Sequence, residues 1–340
     1  MANDTQQPFY LVRNDALADS APADDYLHPE RNRLVTDPTS TETQYFGFYV
    51  PEERITAFGY IWHHVNLKTL TGGIIVWQGD KRYMLASEIC DYREFMTDAA
   101  LHQDLAEYRL ENGYGMKVLE PLKQHHMTYT DEARQNAIDV RFEALAPPVM
   151  LGDGNHFEQA MHARGELLLR GKRYTVDSFH MRDRSWGKAR PEANLPLPPF
   201  GWITAVFGED FSLVATVFDD PRENPEIKGQ FALPPDRLVT SAWVRRAGRV
   251  QRIVAARKRV ERDPVTLLAN RVDAELTAEN GERIRLSGTR FNSMPWRPWP
   301  NLQSLVCGMR WECDGRIAYG EYNDNFWNDY LVEASNAAHR

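Results

Sequence analysis

From Tyr45 onward the chain is written almost entirely in short runs of aromatic and β-branched residues, each closed by turn residues. YFGFYV, ITAFGYIWHHVNL, GGIIVWQG and KRYMLAS follow one another, divided by Pro51, Gly72-Gly73 and Gly79-Asp80. EYRLENGYGMKVLEP carries the turn dipeptide Asn112-Gly113, LKQHHMTYT and NAIDVRFEAL are split by Asp131-Glu132, and GELLLRGKRYTVDSFHMRD turns at Gly171. Beyond position 200 come GWITAVFG, FSLVATVFDD, DRLVTSAWV, VQRIVAARK, NRVDAELTAENGERIRLSGT, SLVCGMRWECDG and GRIAYGEYND. Nearly all alternate with period two, and Asn280-Gly281 and Asp314-Gly315 are hairpin signals. Even spacing of this kind specifies consecutive antiparallel strands rather than a parallel sheet crossed by helices. The expected class is all-β with few short helices. The most helix-like stretch is DYREFMTDAALHQDL, 91–105, where Phe95, Ala99 or Ala100, and Leu101 or Leu105 recur near helical spacing.

A chain of 340 residues has room for about two domains at roughly 150 residues each. The stretch PEANLPLPPFG, with four prolines between Pro191 and Pro199, is the natural divide, because proline removes ladder donors. The expected organisation is an irregular N-terminal arm over 1–40, a β domain over 41–190, a proline-rich crossover over 191–200, and a second β domain over 201–334.

Composition narrows the function classes. Hydrophobic residues at 42% and charged residues at 26% are ordinary for a globular chain able to bury a core. The net charge of −8 argues against a general nucleic-acid binder, which would carry surplus Lys and Arg. The one basic run, RRAGRVQRIVAARKRV, alternates with apolar Val250, Ile253 and Val254 around Gly248 and reads as an amphipathic hairpin. Cys90, Cys307 and Cys313 are odd in number and match no metal or redox spacing, as expected of thiols in a reducing compartment. The N-terminus is polar and acidic, and no run of about 18 apolar residues occurs, so a cytoplasmic chain without a membrane span is expected. GxxxxGK[ST], GxGxxG opening a helix, GxSxG and HExxH are all missing. The sequence thus gives no support for a nucleotide cofactor, a serine nucleophile or that zinc site, and neither cofactor nor metal is expected.

The residues that remain for chemistry are few. His63-His64 and His125-His126 are adjacent pairs, each offering one inward imidazole at most on a strand. His63 or His64, beside Trp62, is the candidate general base in the N-terminal half. His156 and His162 share a strand face but lie roughly 20 Å apart, too far for one metal. HMRDRSWG, 180–187, ends an apolar strand with His180, Asp183, Arg184 and Trp186 within eight residues. Asp183 reads either as a structural partner of Arg182 and Arg184, or as a cavity acid whose pKa an apolar pocket would raise, with Trp186 as pocket wall. Trp296 and Trp299 lie in MPWRPWP, whose three prolines speak against a strand; a loop that caps a barrel mouth or packs between the domains is expected, the cap being favoured. EYNDNFWND gathers Glu321, Tyr322, Asp324 and Asp329 without EF-hand spacing, and a solvated, turn-rich end is expected.

HMRDRSWG, following the GELLLRGKRYTVDSF hairpin, resembles the Asp-His-Ser-Trp-Gly turn of bacterial proteins related to hydroxyneurosporene synthase, the carotenoid hydratase-like and AttH-like proteins. HFEQ at 156–159 and GRIAYGEYND near the C-terminus match the layout of that family, over about Tyr45 to Asp324. Arg184 stands where the family has His, so a base would fall to His180 or His63, or the reaction differs. The resemblance implies two packed lipocalin-like barrels or half-barrels with a hydrophobic cavity. It further implies a cofactor-independent hydratase or dehydratase acting on a hydrophobic isoprenoid, steroid or aromatic compound. In that reading Asp183 is the acid, His63, His64 or His180 handles water, and Trp62, Arg184, Trp186, Trp296, Trp299 and Tyr322 shape the site. Carriage of a hydrophobic ligand, or C–C cleavage or isomerisation of an aromatic compound, would use the same cavity. A homodimer is compatible with all of these.

Overall fold

A computed structural model describes residues 17–30, 36–151, 154–190, 197–227 and 231–338. The first twelve strands are β1 (Leu17–Ala18), β2 (Ser40–Val50), β3 (Ile55–His64), β4 (Thr69–Gln78), β5 (Ile89–Thr97), β6 (Glu107–Arg109), β7 (Gly115–Glu120), β8 (Gln124–Asp131), β9 (Asn136–Ala144), β10 (Val149–Leu151), β11 (His156–Leu169) and β12 (Lys172–Ala189). They form one curled sheet in the order β5-β4-β3-β2-β12-β11-β9-β8-β7-β6, with β10 pairing β1 and β11. The remaining eight are β13 (Phe200–Gly208), β14 (Phe211–Phe218), β15 (Val239–Arg246), β16 (Arg249–Arg262), β17 (Ala269–Ala278), β18 (Arg283–Trp299), β19 (Leu302–Cys313) and β20 (Arg316–Trp327), and they close into a barrel in sequence order. Helix α1 (Asn328–Ala338) follows. The protein is all-β, a half-barrel beside a barrel.

Alternation assigns the faces. Phe46, Phe48, Ile55, Ala57, Ile61, Val140 and Phe142 fill the hollow of the curled sheet. Ile203, Ala205, Leu213, Ala215, Val272, Leu286, Met309 and Trp311 fill the barrel. A third cluster lies on the opposite face of the curled sheet: Tyr45, Phe58, Tyr60, Trp62, Ile75 and Trp77 pack against Met294, Trp296 and Val306 of the barrel. This apolar seam joins the two bodies. No helix among the described residues is long and apolar enough to cross a membrane.

Several expectations are corrected. Residues 91–105 are not helical: β5 runs to Thr97 and a single 3₁₀ turn, Asp98–Leu101, follows. Pairing of β5 along β4 overrides the weak periodicity. Gly72-Gly73 does not divide strands but lies inside β4 at a register shift. Gly73 has φ +142, and a Cβ there would collide with the Asp91 carbonyl oxygen and the Asn112 amide. Residues 294–299 of MPWRPWP are part of β18 and not a capping loop, and Trp296 packs between the two bodies, the other placement expected. Past Thr289, β18 pairs with β19 on one edge and meets only an isolated bridge, Ser293 to Asp80, on the other, so Pro295 and Pro298 sit where that edge asks for no donors. EYNDNFWND is not solvated: Glu321, Asp324, Phe326 and Trp327 are buried in or beside β20. Of the expected proline crossover, 191–196 lies outside the described residues.

Candidate functional site

The hairpin of β11 and β12 turns at Arg170-Gly171, both at positive φ. Its register sets Leu169 opposite Lys172, Glu158 opposite Asp183 and His156 opposite Ser185. Strand β2 then sets Tyr45 opposite Asp183 and Thr43 opposite Ser185, and β3 sets Tyr60 opposite Tyr45 and Trp62 opposite Thr43. Two polar rows therefore cross the sheet on its barrel-facing side: Glu158, Asp183, Tyr45, Tyr60, and beside them His156, Ser185, Thr43, Trp62.

These rows form one wall of a cavity of about 240 Å³ between the sheet and the outside of the barrel. The facing wall is Phe200, Trp202, Trp296, Pro298, Trp299 and Leu302. Asp183 directs its carboxyl into the cavity without a hydrogen bond or ion pair to any described residue. Burial first, and then the negative charges of Glu158 and Glu321, raise its pKa to about 6 against the opposing pull of His156 and Arg190.

The two flanking carboxylates are each gripped from the opposite body. Glu158, on the sheet, accepts hydrogen bonds from the indole N–H groups of Trp202 (3.1 Å) and Trp243 (2.6 Å) of the barrel. Glu321, on the barrel, accepts one from the Tyr45 hydroxyl at 2.6 Å and lies 3.3 Å from His180 Nε2. Burial and the Glu321 carboxylate hold the Tyr45 hydroxyl well above its ordinary pKa, which keeps it a donor.

The sequence candidates separate by face. Asp183, Trp296 and Trp299 line the cavity, and Trp62 packs in the seam cluster around it. Arg184 and Trp186 alternate with Asp183 and point the other way. Arg184 binds Glu42 (3.0 Å) and the Tyr26 carbonyl, while the Trp186 ring stacks on His28 at 3.8 Å. Arg182, on that same face, pairs with buried Asp25 at 2.7 Å, so neither arginine is the ion-pair partner of Asp183. His63 contacts Asp98 at 3.3 Å, and burial pushes His64 down to about 4 beside Trp62. Neither lines the cavity. His180 meets Glu321 behind it. Tyr322 points into the barrel, where its hydroxyl joins Lys258 (3.0 Å) and Asp324 (3.1 Å).

Sequence reasoning did not assign His156, Glu158, Tyr45, Tyr60 or Trp202 to the site. The usable signal was the Gly171 turn, which fixes what stands opposite Asp183 in the hairpin.

Comparison with solved structures returns the same architecture. A putative AttH from Nitrosomonas europaea superposes with TM-score 0.58 at 14% identity, over 92% of this chain and 97% of that one. Kievitone hydratase from Nectria haematococca gives 0.51 at 11%, over 96% and 100%. CghA in complex with Sch210972 gives 0.53 at 12%, over 85% and 89%. These likenesses carry the double lipocalin-like fold. Among curated proteins, none matches the sequence. One family model does, over residues 21–326, and the chain accordingly belongs to the family described as a domain of unknown function, DUF7064.

Proposed function

We propose that the protein is a cofactor-independent lyase of the hydratase or dehydratase type, acting on a hydrophobic isoprenoid, steroid or aromatic compound held between the two bodies. The observation that carries this is Asp183, a carboxyl opening into an indole-walled cavity with its pKa raised to about 6. Such a group can give a proton to a double bond or a leaving hydroxyl and take it back near neutral pH. The faces of Trp296 and Trp299 offer quadrupoles to the positive charge that develops. A carrier would need only a dry apolar hollow, whereas here titratable groups converge on the cavity, which favours catalysis. The likeness to kievitone hydratase is in keeping with this class.

The test is incubation of the full chain with kievitone and with a panel of isoprenoid, steroid and aromatic alkenes, in ordinary and heavy-oxygen water, followed by mass spectrometry. Gain of one solvent-derived water is expected, reduced about 10²–10⁴-fold in Asp183→Asn. Undiminished turnover by Asp183→Asn removes the assignment of the acid.

A further inference from the structure

Addition of water across a double bond needs two proton transfers: one to carbon and one from the water oxygen. Asp183 serves the first under the reading above, on which this inference rests. For the second, the described residues of the cavity lining include one imidazole, His156, and the structure gives it a particular setting.

His156 Nε2 lies 3.5 Å from Glu158 Oε1, two residues along the same strand face. That oxygen also accepts the Trp202 N–H bond, and the second Glu158 oxygen accepts that of Trp243. Two indoles donate and cannot accept, so they hold the carboxylate as a fixed acceptor. The imidazole side chain keeps 20% of its exposure, while the Glu158 side chain keeps 1%. With Nε2 beside Glu158, Nδ1 is the nitrogen that no described residue hydrogen-bonds. His156 and Asp183 stand on adjacent strands, in adjacent rows of one wall. Among the described residues, Glu158 and Asp183 are the acidic groups of the lining, and Lys188 and Arg190 its basic ones beside His156.

We propose that His156 is the general base of this site and Glu158 its positioning residue. In the hydration direction Asp183 transfers its proton to one alkene carbon, leaving the other cationic. The water oxygen bonds to that carbon, and one water proton passes to His156 Nδ1. The alkene and water become the alcohol, and solvent returns the proton from imidazolium to Asp183. Dehydration is the reverse, with no redox change.

The experiment combines kinetics with nitrogen-edited NMR of the imidazoles in the full chain. On an alkene that the panel shows to be hydrated, His156→Gln is expected to lose about 10²–10⁴-fold in kcat with little change in KM. In His156→Gln the fall in rate as Asp183 loses its proton, near pH 6, should remain. Added imidazole should partly restore a His156→Gly variant, which a structural role would not permit. Glu158→Gln keeps an acceptor for Trp202 but can also donate, and is expected to move the His156 ring from the Nε2–H toward the Nδ1–H tautomer, read from its nitrogen shifts. Full kcat in His156→Gln overturns the base. An unchanged tautomer in Glu158→Gln overturns the positioning role. A panel without any hydrated product removes the hydration reading and the base with it, whereas activity in His156→Gln beside inactive Asp183→Asn removes the base alone.

Discussion

Glu158 and Asp183 are directly opposed partners on antiparallel β11 and β12, so two carboxyls occupy neighbouring places on one cavity wall. They are treated differently: Glu158 is held by two indole donors, while Asp183 is bare toward the cavity. The charge of the first makes ionisation of the second harder.

Asp183 therefore trades stability for a usable proton. Its pKa rises on folding from 3.8 to about 6, so the folded state holds the proton over that window. The associated stability is complete below pH 3.8 and lost as pH rises through about 6. Asp183→Asn is expected to stabilise the protein at pH 7.5 by on the order of 1–3 kcal/mol, with the gain fading toward pH 4. Urea unfolding at both pH values measures this. A variant less stable at pH 7.5 contradicts the raised pKa.

The opposite sign applies to His125. It is buried against Asp25 at 3.1 Å, with Arg182 at 3.2 Å, and burial followed by the Arg182 charge lowers its pKa from 6.5 to about 4. The folded state thus binds fewer protons, and stability present above pH 6.5 is lost as pH falls toward 4. His64, also lowered to about 4, acts in the same sense. In His125→Gln the loss of stability between pH 7 and 5 should shrink but persist, as followed by denaturation midpoints.

Glu321 joins the two bodies. Glu321→Ala would leave buried His180 and Tyr45 facing a void and should cost about 3–5 kcal/mol. Glu321→Gln preserves an acceptor for Tyr45 and should cost about 1–2 kcal/mol. The midpoints of chemical denaturation separate the two.

Gly73→Ala tests the β4 irregularity. Both the backbone conformation and the space are denied to a side chain, so a loss of more than about 3 kcal/mol, or failure to accumulate folded protein, is expected. Gly281→Ala is the control, also at positive φ (+87) but with nothing near its Cβ, and should cost only about 1 kcal/mol.

How far the site could be read from the chain depends on the range of each pairing. The β11–β12 hairpin is local: with Arg170-Gly171 as its turn, Leu169 meets Lys172 and counting back in step puts Glu158 opposite Asp183. That step was available from the sequence. Asp183 opposite Tyr45 was not, since it joins strands 138 residues apart by position and no local turn sets it. The misread proline segment has the same cause. Whether Pro295 can lie in a strand depends on whether its donor edge has a neighbour, and β17 stops short of it.

The sequence by itself determined the class of fold, the hairpins and the alternation that sends Asp183 one way and Arg182 and Arg184 the other, because these follow from turn chemistry and the two-residue period of a strand. Only the tertiary structure decided which of those faces meets the barrel. Trp202, Trp243 and Glu321 come from distant strands, and it is their approach that removes water from around Asp183 and turns one face of a sheet into a site.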